Sequence, residues 1–156
     1  LAGDTPPLVI VGQRDFHYAA VFDEIRRLQL GGRVRVLERV DDASLPALLR
    51  HARLFVFASH AEGFGMPVAE AMASGVPVIT SNTTSLPEVA GPGALLVDPA
   101  SPEGLAQAMT RVLGDADLRQ RLVRDGLQHV QQFNWQASAA VFIAALRRHF
   151  DAEELA

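Results

Sequence analysis

Glu62 and Glu70 stand at the two ends of Glu62-Gly-Phe-Gly-Met-Pro-Val-Ala-Glu70, a run whose residue types suit the capture of a ligand with hydroxyls at its ends and an anion in its middle. Ionised carboxylates accept hydrogen bonds and repel phosphate, so two of them should grip hydroxyl groups. The strand-like Leu54-Phe-Val-Phe-Ala58 precedes the run, and Met66 to Ser74 reads as a helix that Gly75 ends and Pro77 keeps from resuming. Gly63 and Gly65 then fall in the strand-to-helix turn, where the absent Cβ lets a ligand approach the backbone. N–H groups around Phe64 and Met66, with the positive end of the helix dipole, make an anion site. Glu70 lies about five residues into this helix, or roughly 8 Å along its axis, so the two acids cannot hold the same atom. A nucleoside diphosphate sugar has the matching layout, with Glu62 facing the sugar and Glu70 taking the ribose diol. A lone Glu near a helix start would need no such explanation, since it stabilises the dipole by itself. The whole set carries the reading.

These residues carry a resemblance. Glu62 and Glu70 match the E-x7-E signature of retaining GT-B glycosyltransferases. Glu62 to Gly75, continued by Val76-Pro-Val-Ile-Thr-Ser-Asn-Thr-Thr-Ser-Leu-Pro-Glu-Val-Ala-Gly91, resembles family 4 sugar transferases of bacterial polysaccharide assembly. The likeness runs more loosely from Leu8 to about Phe150, taking in Leu45-Pro-Ala-Leu-Leu-Arg-His-Ala-Arg-Leu-Phe-Val-Phe and Phe133-Asn-Trp135. It implies a hexosyltransferase that moves a sugar from a GDP- or UDP-sugar to a glycan or lipid-linked acceptor, with retention at the anomeric carbon and without metal or other cofactor. The Thr80 to Val89 stretch looks most like bacterial mannosyltransferases, which makes GDP-mannose the leading donor. By the same resemblance Glu62 is the catalytic residue and Gly63, Phe64, Gly65, Met66 and Glu70 bind the donor. Main chain near Val40 meets the base, and the loop from Ser81 to Thr84 borders the phosphates and sugar, with Thr84 and Ser85 as candidate contacts. Glu38 stands where the family commonly has Gly, a departure that bears on the base contact.

The resemblance also implies that the chain is partial. It begins with Leu1 and enters almost at once on Leu8-Val-Ile-Val-Gly12, which in the family is the second strand of the C-terminal half. An N-terminal acceptor-binding half and a first strand-loop bearing a phosphate-neutralising Arg and Lys are then expected upstream. Residues 1–134 should form the Rossmann-like donor domain, and residues 135–156 a helix crossing back to the missing half, through which peripheral membrane association would arise. Without that half, Val141, Phe142, Ala145 and Leu146 are expected to be partly exposed or to drive self-association. A catalytically inactive nucleotide-sugar-binding fragment is the rival reading, and a UDP-sugar epimerase of similar fold matches the motif run poorly.

Composition narrows the classes. The 156 residues suffice for one domain with a core of its own. The absence of Cys removes disulfides, thiol nucleophiles and cysteine-zinc sites. All 14 basic residues are Arg, so Schiff-base chemistry and a P-loop lack their lysine. The net charge of −4 argues against a nucleic-acid partner. No apolar run approaches the roughly 18 residues that span a bilayer, and no signal peptide precedes the first strand, so a cytoplasmic protein is expected.

Along the chain, apolar β-branched runs at Leu8–Val11, Val34–Leu37, Leu54–Ala58, Val76–Thr80 and Ala94–Val97 alternate with helical patterns at about 16–28, 44–51 and 66–74. The alternation predicts an α/β fold with a doubly wound parallel sheet and helices on both faces. Its ligand belongs beyond the carboxyl ends of the strands, where Ser59 to Gly65 falls. Three helices should follow, over 102–113, 118–133 and 135–150, the last capped by Asn134. Gly31-Gly32 marks a turn, Ser44 an N-cap, and Ser85-Leu-Pro-Glu88 a capping box.

Other matches have ordinary explanations. Asp115-Ala-Asp117 fits the metal-binding D-x-D pattern, yet it follows Gly114 at a helix start, where Asp caps. Trp135 is read as core rather than a sugar platform. The His residues at 17, 51, 60, 129 and 149 lack metal-ligand spacing, and only His60 neighbours the presumed site. A Ser-His-Asp hydrolase has no G-x-S-x-G elbow here.

Overall fold

A computed structural model describes residues 5–13 and 18–150. The chain divides into two compact units, Leu1–Arg53 and Leu54–Ala156. Phe16 and His17, which open the first predicted helix, lie outside the described residues, as does the tail beyond Phe150.

The first unit holds β1 (Leu8–Val11), α1 (Tyr18–Arg27), β2 (Val34–Leu37) and α2 (Leu45–Arg50). β1 and β2 pair in parallel with Leu8 opposite Val34 and Val11 opposite Leu37. Parallel neighbours need a crossover, and α1 supplies it. Arg27 Nε donates to Glu24 at 2.8 Å on the exposed face of α1. Leu8, Val9 and Val11 are exposed, unlike the doubly covered strand that their apolar character predicts. Two strands and one crossover helix are too little structure to cover both faces. Ser44 does not cap α2 with its side chain. Its N–H and hydroxyl instead donate to the Asp41 carboxylate at 2.7 and 3.0 Å, so Asp41 orders the turn. Those two hydrogen bonds hold the Asp41 carboxyl below its ordinary range, the side-chain bond first.

The second unit contains β3 (Phe55–Phe57), α3 (Met66–Ala73), β4 (Val78–Ser81), α4 (Leu86–Ala90), β5 (Ala94–Val97), α5 (Pro102–Gly114), α6 (Ala116–Val130) and α7 (Trp135–His149), with a 3-10 turn over Gly91–Gly93. Its three strands run parallel in the order β3-β4-β5, with Ile79 of β4 opposite Val56 and Leu95. The predicted α/β class and parallel pairing hold, realised as a two-stranded and a three-stranded sheet.

β4 is the centre of this unit. Successive strand side chains point to opposite faces, and Val78 and Ile79 are both fully buried, so both faces of β4 are covered. Ile79 joins Val97, Ala108, Val112, Leu118 and Leu122 in a core drawn from β4, β5, α5 and α6. Val68, Ala69, Ala71 and Met72 form the buried side of α3. Each fully buried aliphatic side chain contributes about 1.5–3 kcal/mol, which fixes α3 firmly and with it the turn that precedes it. α6 approaches so closely that a Cβ on Gly93 would meet Gly126 Cα at 2.4 Å.

The predicted punctuation is largely realised in this unit. Gly75 follows α3 at φ +73°, Asp115 Oδ1 accepts from Leu118 N at 2.9 Å, and Asn134 Oδ1 accepts from Ala137 N at 2.8 Å. Trp135 contradicts its assignment to the core, being 88% exposed. No side chain of α7 is buried, and Val141 and Phe142 are exposed while Ala145 and Leu146 are half-buried. Among the described residues, no helix is long and apolar enough to cross a membrane.

Candidate functional site

Gly65 sets the entry to α3. It is the N-cap at φ +104° and ψ +47°, a left-handed conformation that favours glycine. It is also buried, with Leu86 Cδ2 only 2.6 Å from where a Cβ would stand. Both facts exclude a side chain. The following Pro67 has no N–H and suits the first turn, while Val68 N closes on Gly65 O at 2.9 Å.

The amides of the turn have no such partners. Among the described residues, the N–H groups of Gly63, Phe64, Gly65 and Met66 donate to no protein acceptor. Those of Gly65 and Met66 are orphan donors of the helix start, where the dipole is positive, and those of Gly63 and Phe64 precede them in the turn. Three carbonyls of the stretch are taken: Ser85 Oγ donates to Glu62 O at 2.9 Å and lies 3.0 Å from Phe64 O, and Gly65 O accepts from Val68 N at 2.9 Å. The turn therefore offers four donors while the Glu62, Phe64 and Gly65 carbonyls are engaged, a polarity that suits an anion.

That arrangement is maintained by the end of β4 and the chain that follows it. Thr80 Oγ1 donates to Phe57 O at 2.9 Å, Ser81 Oγ to Ser59 O at 2.6 Å and Thr83 Oγ1 to His60 O at 3.1 Å. Thr84 Oγ1 accepts from Glu62 N at 3.1 Å. Five hydroxyl residues in a row of six thus stitch the β3–α3 loop along its length. Thr80 and Ser81 are fully buried, so their bonds form away from water and hold the loop firmly. Sequence reasoning placed the Ser81 to Thr84 loop beside the site but missed that the Thr80, Ser81 and Thr83 hydroxyls hold the β3–α3 loop. The signal was a run of hydroxyls that begins at the end of a strand buried on both faces and continues beyond it.

Ser85 corrects its predicted cap role. It makes no side-chain cap bond to α4, because its hydroxyl is already committed to the loop. The Thr84 hydroxyl is likewise engaged by Glu62, and Thr84 itself sits at φ +52°.

The remaining predicted residues fall as follows. Glu62 is half-buried in the loop, and Glu70 projects from the exposed side of α3 between the buried Ala69 and Ala71. Glu62 thus precedes the α3 entry, and Glu70 is a turn further along the helix. Gly63 and Met66 are exposed beside it. The Phe64 ring turns to Phe133, edge to face at 5.3 Å between centroids, and Phe133 in turn meets His129 at 5.5 Å. What Phe64 offers a ligand is therefore its main chain. Val40 is half-buried in the first unit. His60 is exposed, its carbonyl bound by Thr83. No group of three or more His, Cys, Asp or Glu side chains stands where it could hold a metal ion, among the described residues.

Comparison with known proteins bears on the family and the fold. Over 130 residues the chain is 38% identical to the O-antigen chain mannosyltransferase B of Escherichia coli, covering 83% of this chain and 34% of that protein. It is 36% identical over 128 residues to an MMP alpha-(1->4)-mannosyltransferase of Mycolicibacterium hassiacum, covering 80% of this chain and 31% of the relative. A sucrose-phosphate synthase from Thermosynechococcus elongatus superposes with a TM-score of 0.81 at 32% identity, over 93% of this chain and 39% of the other. The chain spans about a third of the length of the curated relatives it matches. A family model described as glycosyl transferases group 1 matches residues 3–129, and by that match the chain belongs to the glycosyl transferases group 1 family.

Proposed function

We propose that this chain supplies the donor site of a retaining glycosyltransferase, one that moves mannose from GDP-mannose to a glycan or lipid-linked acceptor in polysaccharide biosynthesis. The observation that carries the reading is the α3 entry, where four consecutive amides lack protein acceptors and the neighbouring carbonyls are taken by Ser85. A diphosphate fits that polarity. The mannosyltransferase names of relatives at 38% and 36% identity favour mannose as the sugar.

In this reading the bond from the anomeric carbon to the diphosphate breaks, and charge grows on the departing oxygen. The N–H groups of Gly63 to Met66 meet that charge more strongly in the transition state than in the ground state. Glu62, the first acid of the E-x7-E pair, orients the sugar hydroxyls and favours the positive charge that develops on the ring. Glu70 holds the ribose diol and contributes binding shared by ground and transition states. No metal takes part in these steps.

Steady-state kinetics of the complete enzyme test the division of roles. Glu62→Ala should chiefly lower kcat, and Glu70→Ala should chiefly raise the KM for the donor. The reverse pattern would reject the assignment. Competition among GDP-mannose, GDP-glucose and UDP-glucose identifies the donor.

A further inference from the structure

The hydroxyls of Thr84 and Ser85 close on the two sides of a single residue. Glu62 N–H donates to Thr84 Oγ1 at 3.1 Å, while Glu62 O accepts from Ser85 Oγ at 2.9 Å. The Ser85 hydroxyl has one proton, which it shares with Phe64 O at 3.0 Å. In a trans peptide the C=O and N–H point to opposite sides, and no described peptide bond is cis. Drawing Glu62 O and Phe64 O toward Ser85 therefore turns the N–H groups of Gly63 and Gly65 the other way. One small side chain sets the direction of two amides.

Thr84 adds a second sign that the arrangement is built for use. It is β-branched and sits at φ +52°, a region such residues rarely enter. Glycine would adopt this conformation without strain but would bring no hydroxyl. Strain of this kind persists where surrounding structure imposes it, and it gathers at functional sites. Thr84 is exposed, so no core packing explains it.

We propose that Thr84 and Ser85 are positioning residues: they clamp the main chain of Glu62 from both sides, presetting its carboxylate for the sugar and the Gly63 and Gly65 amides for the diphosphate. The proposal rests on the donor-site reading above. It replaces direct ligand contact by these two hydroxyls with action through the loop that they hold.

The test combines thermal melting and steady-state kinetics of the complete transferase carrying Thr84→Gly, Thr84→Val, Thr84→Ser and Ser85→Ala. Thr84→Gly removes both the strain and the hydroxyl, so Tm is expected to stay level or rise while kcat falls about tenfold. Thr84→Val and Ser85→Ala should show similar losses in kcat with little change in donor KM. Thr84→Ser should restore most of the wild-type rate. A kcat unchanged in Thr84→Gly overturns the clamp, as does a Thr84→Ser enzyme no better than Thr84→Val. If the wild-type enzyme transfers no sugar from any nucleotide donor, the donor-site reading fails and takes the clamp with it. If the wild type transfers sugar and Thr84→Gly matches it, the clamp fails alone.

Discussion

Leu86 Cδ2 stands 2.6 Å from the place a Cβ on Gly65 would take, so a fully buried side chain of α4 and the cap of α3 compete for one space. Because Leu86 is enclosed, it cannot swing aside cheaply. Gly65→Ala should cost about 1–3 kcal/mol through strain at φ +104° alone, with overpacking in addition. It should also weaken nucleotide binding, since the turn must shift to admit the methyl group. Chemical denaturation and calorimetric titration of the variant measure both effects. A variant as stable as wild type would show that the turn is looser than its geometry implies.

A second close approach concerns stability without the site. A Cβ on Gly93 would lie 2.4 Å from Gly126 Cα, a clash with backbone that no rotamer change relieves. Gly93→Ala must push α6 away from the 3-10 turn and from Met72. We expect a loss of about 1–3 kcal/mol, read as a lower denaturant midpoint.

Acid should weaken the turn before α2. The Asp41 carboxyl is held below its ordinary value by hydrogen bonds from the Ser44 side chain and main chain. Its folded-state pKa is therefore the lower one, and the stability it contributes is present above the unfolded value and lost as pH falls through the folded one. Asp41→Asn should flatten the dependence of melting temperature on pH at the acid end. Because Asp41 lies at the surface, the change should be small and should shrink further in salt.

Trp135 offers a direct optical check, being the only Trp in the chain. At 88% exposure it should fluoresce at the long wavelengths of a solvated indole and be quenched readily by acrylamide. Trp135→Ala should change stability by less than about 0.5 kcal/mol. A blue-shifted, protected emission would return this residue to a core.

What was legible in the sequence is what local chemistry decides. Gly75 after a helix, Asp115 and Asn134 before one, and Leu8–Val11 or Ala94–Val97 as strands are set by near neighbours, and each lies where the pattern predicted. Ser85 shows where that logic ends. Its spacing to Glu88 satisfied the capping-box pattern, yet its hydroxyl is committed to Glu62 and Phe64, more than twenty residues away in sequence. Ser44 lost its cap role to a nearer rival, the Asp41 carboxylate. Trp135 was placed by the habit of its side chain, and a helix whose apolar face lacks cover among the described residues does not obey that habit. For the site, the glycines and acids of the α3 entry were readable from their order. The loop-holding role of the Thr80, Ser81 and Thr83 hydroxyls was not, because their partners Phe57, Ser59 and His60 lie at and beyond the end of β3 and meet them only when β3 and β4 pair.

The most direct measurement is calorimetric titration of the protein with GDP and UDP, each set against its monophosphate. If the unpartnered amides at the α3 entry receive a diphosphate, one diphosphate should bind at least about tenfold more tightly than its monophosphate, as one or two added charge-assisted hydrogen bonds would give. Glu70→Ala should weaken that binding without abolishing the preference for the second phosphate. Equal affinity for diphosphate and monophosphate with both bases, or a preference that survives Gly65→Ala intact, would contradict a diphosphate site at this helix start.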